Sequence, residues 1–241
     1  MRKVVTFALL GIAVLICFYL FMHSSFFNVE KIYVTGNKEV SEQEILDISG
    51  ISSGGNIFEV NNRICSKAIE LHPMIKKAQV IRHLPRTIEI RVEERKIWAV
   101  VPLHDLVLCI DEEGVCIDRR LYFPSGDYPI ITMEKFPEKV NLGQKVEPYG
   151  INMIYQIWNN LKPDMRKKIS DFHYINSKKE VVMYTAVGTE IKFGSTDRLD
   201  EKVDFLEKAL ALEEDFNKKG TEVIEYIDLR FKGQPVVKTK E

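Results

Sequence analysis

The residues of this 241-residue chain that could do chemistry are four cysteines, five histidines and two acidic runs. Cys109 and Cys116 flank "IDEEGV", which reads as a hairpin turn. A two-residue turn would set the two thiols opposite each other, and a three-residue turn with Gly114 left-handed would put them out of register. A disulfide is therefore open to them outside the cytoplasm. A zinc site would need a second Cys/His pair at ligand spacing, which the sequence lacks. Cys65 lies in a helical stretch and reads as core filler. His23, His72, His83, His104 and His173 include no pair at i, i+4 and none beside paired cysteines, so they read as surface or turn residues. "SSGGN" at 52–56 has glycines but lacks the Lys-Ser/Thr of a phosphate loop. "DEEG" and "LEEDF" read as a turn and a solvated helix face. Neither G-x-S-x-G nor H-E-x-x-H occurs. The expectation is a protein with no catalytic centre, no cofactor and no metal.

The elements that would position a functional surface are more informative. Near the C-terminus "EVIEYIDLRFKGQPVVK" carries a strand pattern into a region where chains usually fray. Val223, Ile227, Leu229 and Phe231 fall on one face, and Tyr226, Asp228 and Arg230 on the other. The segment after Pro235 is basic and reads as a loose tail, residues 234–241. At the other end, Arg2 and Lys3 precede an uncharged stretch over 4–22, Cys17 included. Nineteen residues nearly match the ~20 that span a bilayer core as a helix. A cleaved signal would have a shorter apolar core and a small-residue cleavage site. The two basic residues place residues 1–3 in the cytoplasm. Net charge is −1, which offers no footprint for nucleic acid.

Between these ends two units are expected. The first, over 26–95, opens with the strand "VEKIYVTGN". In "VSEQEILDISG" Ser41 and Glu44 form a capping box, with Val40 and Ile45 as a hydrophobic staple and Gly50 closing the helix. Asn61 or Asn62 caps a second helix, in which Ile64, Ala68 and Leu71 share one face, and Pro73 follows it. Two strands joined at Leu84-Pro85 complete the order strand, helix, helix, strand, strand. In the last strand Ile88, Ile90 and Val92 face one way, and Glu89, Arg91 and Glu93 form a wet face. The second unit, over 96–233, reads as a mostly antiparallel sheet with helices packed on one side. "YGINMIYQIWNNL" places Ile151, Ile154, Ile157 and Trp158 at helical spacing. Ser195 or Thr196 caps a long helix with Leu199, Val203, Leu206 and Leu210 as its apolar stripe, and Gly220 ends it. The fold class is α+β, with one N-terminal transmembrane helix.

In this layout the chain resembles a bacterial cell-division family, FtsQ, called DivIB in Gram-positive bacteria. The segments that carry the likeness are "FFNVEKIYVTGNKEVSEQEIL", "VIRHLPRTIEIRVEER", "LVLCIDEEGVCI", "GTEIKFGSTDRLDEKVDFL" and "YIDLRF", in that order behind a single span. The resemblance implies that 26–95 is a POTRA domain (βααββ), that 96–233 is the FtsQ/DivIB β domain, and that a turn and one more short strand, "PVVK", follow "YIDLRF". The chain departs from the family in its very short cytoplasmic tail, in Lys96-Ile97-Trp98 after the Glu-Arg pair, and in the Cys109/Cys116 pair.

The resemblance further implies a non-catalytic scaffold at the division septum. Its partners would be FtsL-type and FtsB/DivIC-type bitopic proteins, and the complex would help control septal peptidoglycan synthesis. In the family the FtsB-type partner adds a strand to the β domain near its C-terminus. Carried onto this chain, the contact region is Tyr226, Asp228, Arg230 and Phe231, at an unpaired strand edge. Val80 and Arg82 are a second candidate, as a recruitment surface. The competing reading is a secretion or envelope-assembly component, because POTRA domains also serve there. Those proteins continue into long transmembrane barrels, and the ~145 residues after the POTRA-like unit are few for the larger ones.

Overall fold

The computed structural model describes residues 2–219 and 223–240. The chain folds as two compact units, with the boundary between Arg95 and Lys96. Each has its own hydrophobic cluster.

Helix α1 (Arg2–Met22) is uncharged after Arg2 and Lys3, and Lys3–Met22 is long and apolar enough to cross a membrane. It runs into a short 3-10 turn, Ser25–Phe27. The first unit then follows as β1 (Lys31–Thr35), α2 (Glu42–Ser49), α3 (Asn62–Ile69), β2 (Ile75–His83) and β3 (Thr87–Glu94). The strand order is β1-β3-β2, with β1 parallel and β2 antiparallel to the central β3. Local rules place these elements. Ser41 Oγ accepts the Glu44 amide at 3.2 Å, and Asn61 Oδ1 accepts the Ile64 amide at 3.1 Å. Val40 and Ile45 are both buried, as a staple requires. Ile45, Ile57, Ile69, Ile88 and Ile90 are fully buried, each contributing roughly 1.5–3 kcal/mol.

Three expectations for this unit are corrected. Ile64 and Leu71 are exposed, and the core face of α3 is Ile69, with Cys65 packed beside it. α3 meets β2 through Asn62, Ser66 and Glu70, which leaves the expected stripe on the outside. Val80 is buried rather than part of a recruitment surface; of that pair Arg82 is exposed, its guanidinium donating to the Val60 carbonyl. Glu89 is also buried, although it belongs to the expected wet face. Its carboxylate takes His83 Nε2 at 2.8 Å, Arg91 Nη2 at 2.8 Å and Thr35 Oγ1 at 3.2 Å. The His83 bond first, then Arg91, hold the Glu89 carboxyl down to about 2. A depressed carboxyl stabilises the fold above its unfolded value, and that contribution is lost as pH falls. The first unit should therefore lose stability between about pH 4.5 and 2. Glu89→Gln should flatten that dependence in acid melts, and an unchanged acid profile would refute the assignment.

The second unit contains β4 (Ala99–Leu103), β5 (Leu106–Ile110), β6 (Cys116–Arg120), β7 (Ile130–Met133), α4 (Pro148–Asn160) and the short α5 (Pro163–Arg166). It continues with β8 (Ile169–Ile175), β9 (Glu180–Thr185), β10 (Glu190–Gly194), α6 (Leu199–Lys219), β11 (Val223–Asp228) and β12 (Val236–Lys240). Among the described residues these strands make one sheet, in the order β12-β11-β10-β9-β8-β7-β4-β5-β6. Five neighbouring pairs are antiparallel, and β4–β7, β7–β8 and β10–β11 are parallel. Parallel neighbours need crossovers. α4 and α5 lie in the one between β7 and β8, and α6 in the one between β10 and β11. Ile151, Ile154 and Ile157 of α4 and Val203, Leu206 and Leu210 of α6 are buried in one cluster.

The start of α6 differs from expectation. It begins at Leu199, after Arg198 at φ 50°, so neither Ser195 nor Thr196 is its cap. Ser195 and Asp197 instead hold Lys202, whose ammonium is buried and donates to Ser195 O and Asp197 Oδ1, both at 2.8 Å. Gly220 lies outside the described residues. The hairpin between β5 and β6 has Gly114 at φ 76° and pairs Cys109 with Asp118 and Ile110 with Cys116. The two thiols are thus out of register, free and buried. Burial pushes Cys116 up to about 11.

Candidate partner-docking surface

The expected loose tail over 234–241 includes β12. It pairs antiparallel with β11, matching Tyr226 to Lys238, Ile227 to Val237 and Asp228 to Val236. The unpaired edge is therefore not that of β11, which lies between β10 and β12. β12 stands at the end of the strand order. The opposite end, β6, is partly closed: Cys116 N donates to Gln144 O at 2.9 Å, and Gly143 N donates to Cys116 O at 2.8 Å.

A register shift between Ile224 and Tyr226 breaks the simple alternation of β11. Ile224, Ile227 and Leu229 are buried, whereas Val223 and Phe231, expected on the same face, are exposed. Phe231 is 63% exposed.

On the other face the structure brings three of the four candidate residues together. Parallel pairing aligns Glu190 with Tyr226 and Lys192 with Asp228. The Tyr226 ring lies beneath two ammonium groups, Lys192 at 4.1 Å and Lys238 at 5.8 Å from its centroid. Lys238 also meets Glu225 at 2.8 Å, which raises its pKa. Asp228 is buried and receives the Arg230 fork, Nε to Oδ1 at 3.0 Å and Nη2 to Oδ2 at 2.6 Å, plus the Arg230 amide at 3.1 Å. These bonds lower the Asp228 carboxyl and raise Arg230. Arg230 Nη1 lies 3.6 Å from Glu180 on β9. Its guanidinium carbon is 5.8 Å from the Phe231 ring centre. The Arg230 carbonyl accepts Arg198 Nη2 at 3.3 Å, tying the chain after β11 to the loop before α6.

Division of labour follows from these contacts. Arg230 is already satisfied by two carboxylates and fixes the backbone from which Phe231 projects. Phe231 is the exposed aromatic residue of this group. Sequence reasoning missed Lys192 and Lys238, although alternation in "TEIKFG" sets Lys192 outward beside β11. Val80 and Arg82 belong to the other unit and are not part of this surface. Among the described residues, no group of three His, Cys, Asp or Glu side chains is placed to hold a metal ion.

Comparison with known proteins gives a consistent result. A model described as "POTRA domain, FtsQ-type" matches residues 27–95, and one described as "Cell division protein FtsQ/DivIB, C-terminal" matches residues 99–230. The chain is 27% identical over 222 residues to cell division protein FtsQ of Geotalea daltonii, covering 89% of this chain and 77% of that one. It is 24% identical over 240 residues to cell division protein DivIB of Clostridium botulinum, covering 98% and 90%. It is 33% identical over 132 residues to the DivIB of Bacillus subtilis, covering 54% and 49%.

Proposed function

Because the chain belongs to the FtsQ/DivIB family of cell-division proteins, we propose that it is a non-catalytic scaffold of the division machinery, anchored by α1. Arg2 and Lys3 before the span favour a cytoplasmic N-terminus, with both units outside and the septum as the working place. Its partners are bitopic proteins of the FtsL and FtsB/DivIC types, and the complex contributes to control of septal peptidoglycan synthesis. The observation that carries this reading is the one-sided edge of β12, beside Tyr226 and the exposed Phe231. A partner segment lying along that edge would gain backbone hydrogen bonds, and alternate side chains would select it. Phe231 supplies an anchor of a type enriched in binding hot spots.

The test is binding of the full chain, in nanodiscs, to the extracytoplasmic segment of the FtsB/DivIC-type partner. Phe231→Ala should weaken binding by about 10-fold or more without changing the melting temperature. Arg230→Glu should weaken binding and also destabilise the second unit, because it sets a carboxylate against Asp228 and Glu180. Equal binding by both variants would remove this surface from the interface. No binding by the unaltered chain would remove the partner assignment.

A further inference from the structure

The first unit presents a docking face of its own, and it is a helix rather than a strand edge. Strand addition at β2 is obstructed on its outer side. Ala78 N donates to Glu70 Oε1 at 3.1 Å, Val80 N donates to Ser66 Oγ at 3.1 Å, and Val80 O accepts Asn62 Nδ2 at 2.9 Å. Three side chains from α3 and its C-cap thus occupy the backbone groups that an incoming strand would need.

The opposite side of α3 is uncovered. Ile64 is 65% exposed and Leu71, just past the helix end, 83% exposed, with the half-buried Ala68 between them. Scattered apolar residues are ordinary on a protein surface. These three stand at i, i+4 and i+7, the ridge along which helices pack. Arg63 and Lys67 flank the ridge, both exposed, and among the described residues neither has a carboxylate partner. Like charges at i, i+4 destabilise a helix. Such a pair is compensated when an acidic group is supplied from outside.

We propose that this face binds an amphipathic helix of a partner protein, with an apolar stripe against Ile64, Ala68 and Leu71 and carboxylates against Arg63 and Lys67. A second copy of the chain fits poorly. It would bring the same two cations to the seam, while its Glu70 is engaged with the Ala78 amide.

The experiment uses the full chain in uncharged nanodiscs and two labelled helical peptides with the same leucine stripe, one flanked by glutamates and one by lysines. The glutamate peptide should bind at least about 10-fold more tightly than the lysine peptide. Ile64→Asp with Leu71→Asp should abolish that binding without changing the melting temperature, since both side chains are exposed. Arg63→Glu with Lys67→Glu should reverse the preference toward the lysine peptide. Absence of binding, equal binding of the two peptides, or full binding by the Ile64→Asp/Leu71→Asp variant would overturn the proposal. So would a dimer of the unaltered chain that this variant dissolves, because the occupant would then be a second copy.

Discussion

A chain ending at Gln234 should bind the FtsB/DivIC-type segment at least about 100-fold more weakly than the full chain. Shortening removes β12, the strand whose outer edge is proposed to receive the partner, while Phe231 and the Asp228–Arg230 fork remain. The comparison therefore separates backbone pairing from side-chain contact. The core cluster keeps Ile224, Ile227 and Leu229 in the shortened chain, so the second unit should still melt cooperatively. Titration calorimetry on the two chains decides the matter. If the shortened chain binds equally well, the partner can take the place of β12 on β11, and the edge assignment fails.

Gly36→Ala should destabilise the first unit by about 3–5 kcal/mol. Gly36 has φ 91°, and a Cβ built there would lie 2.1 Å from the carbonyl oxygen of Val92. No rotamer change relieves that clash, because the obstacle is backbone. The turn cannot simply move away, because the Glu94 carboxylate accepts the amides of Lys38 and Val40 at 2.9 Å and of Glu39 at 3.1 Å. For a unit of this size the loss corresponds to a drop of roughly 15 °C or more in melting temperature. The second unit has a separate core, so calorimetry should show one transition displaced and the other in place. Coincident, unshifted transitions would contradict the steric argument.

What can be read from the sequence is what neighbours in the chain decide. The Ser41 cap, the Val40–Ile45 staple and the β2–β3 hairpin need only residues a few positions apart. The apolar spacing of α4 and α6 survives because both helices pack on a broad sheet. Where distant elements decide, the pattern misleads. The Ile64–Ala68–Leu71 stripe is helical, but α3 meets β2 through Asn62, Ser66 and Glu70, which turns the stripe outward. Glu89 has the signature of a wet face, yet His83, Arg91 and Thr35 close over it. The register shift in β11 moves the core role from Val223 to Ile224. Composition alone hides β12, since Lys238 and its neighbours look like a basic tail, and only the family resemblance points to a short strand at "PVVK". Three of the candidate contact residues lie at one edge of the second unit, but the edge itself belongs to β12, which only the family resemblance, through "PVVK", announces.

The obstructed margin of β2 and the margin of β12, which is unpaired among the described residues, differ in what they mean for solubility. An unpaired strand edge accepts extended chains without much discrimination and is a route to aggregation. In β12 the exposed Lys238 stands on the strand that would be copied. In a symmetric edge-to-edge pair it would face another lysine-bearing strand, and charges of one sign across a ladder are unfavourable. Its bond to Glu225 softens this repulsion only in part, because both groups remain solvent-accessible. The edge proposed to receive a partner is thereby guarded against its own kind. Substituting Lys238 by an apolar residue would trade that protection for stickiness before it altered the fold.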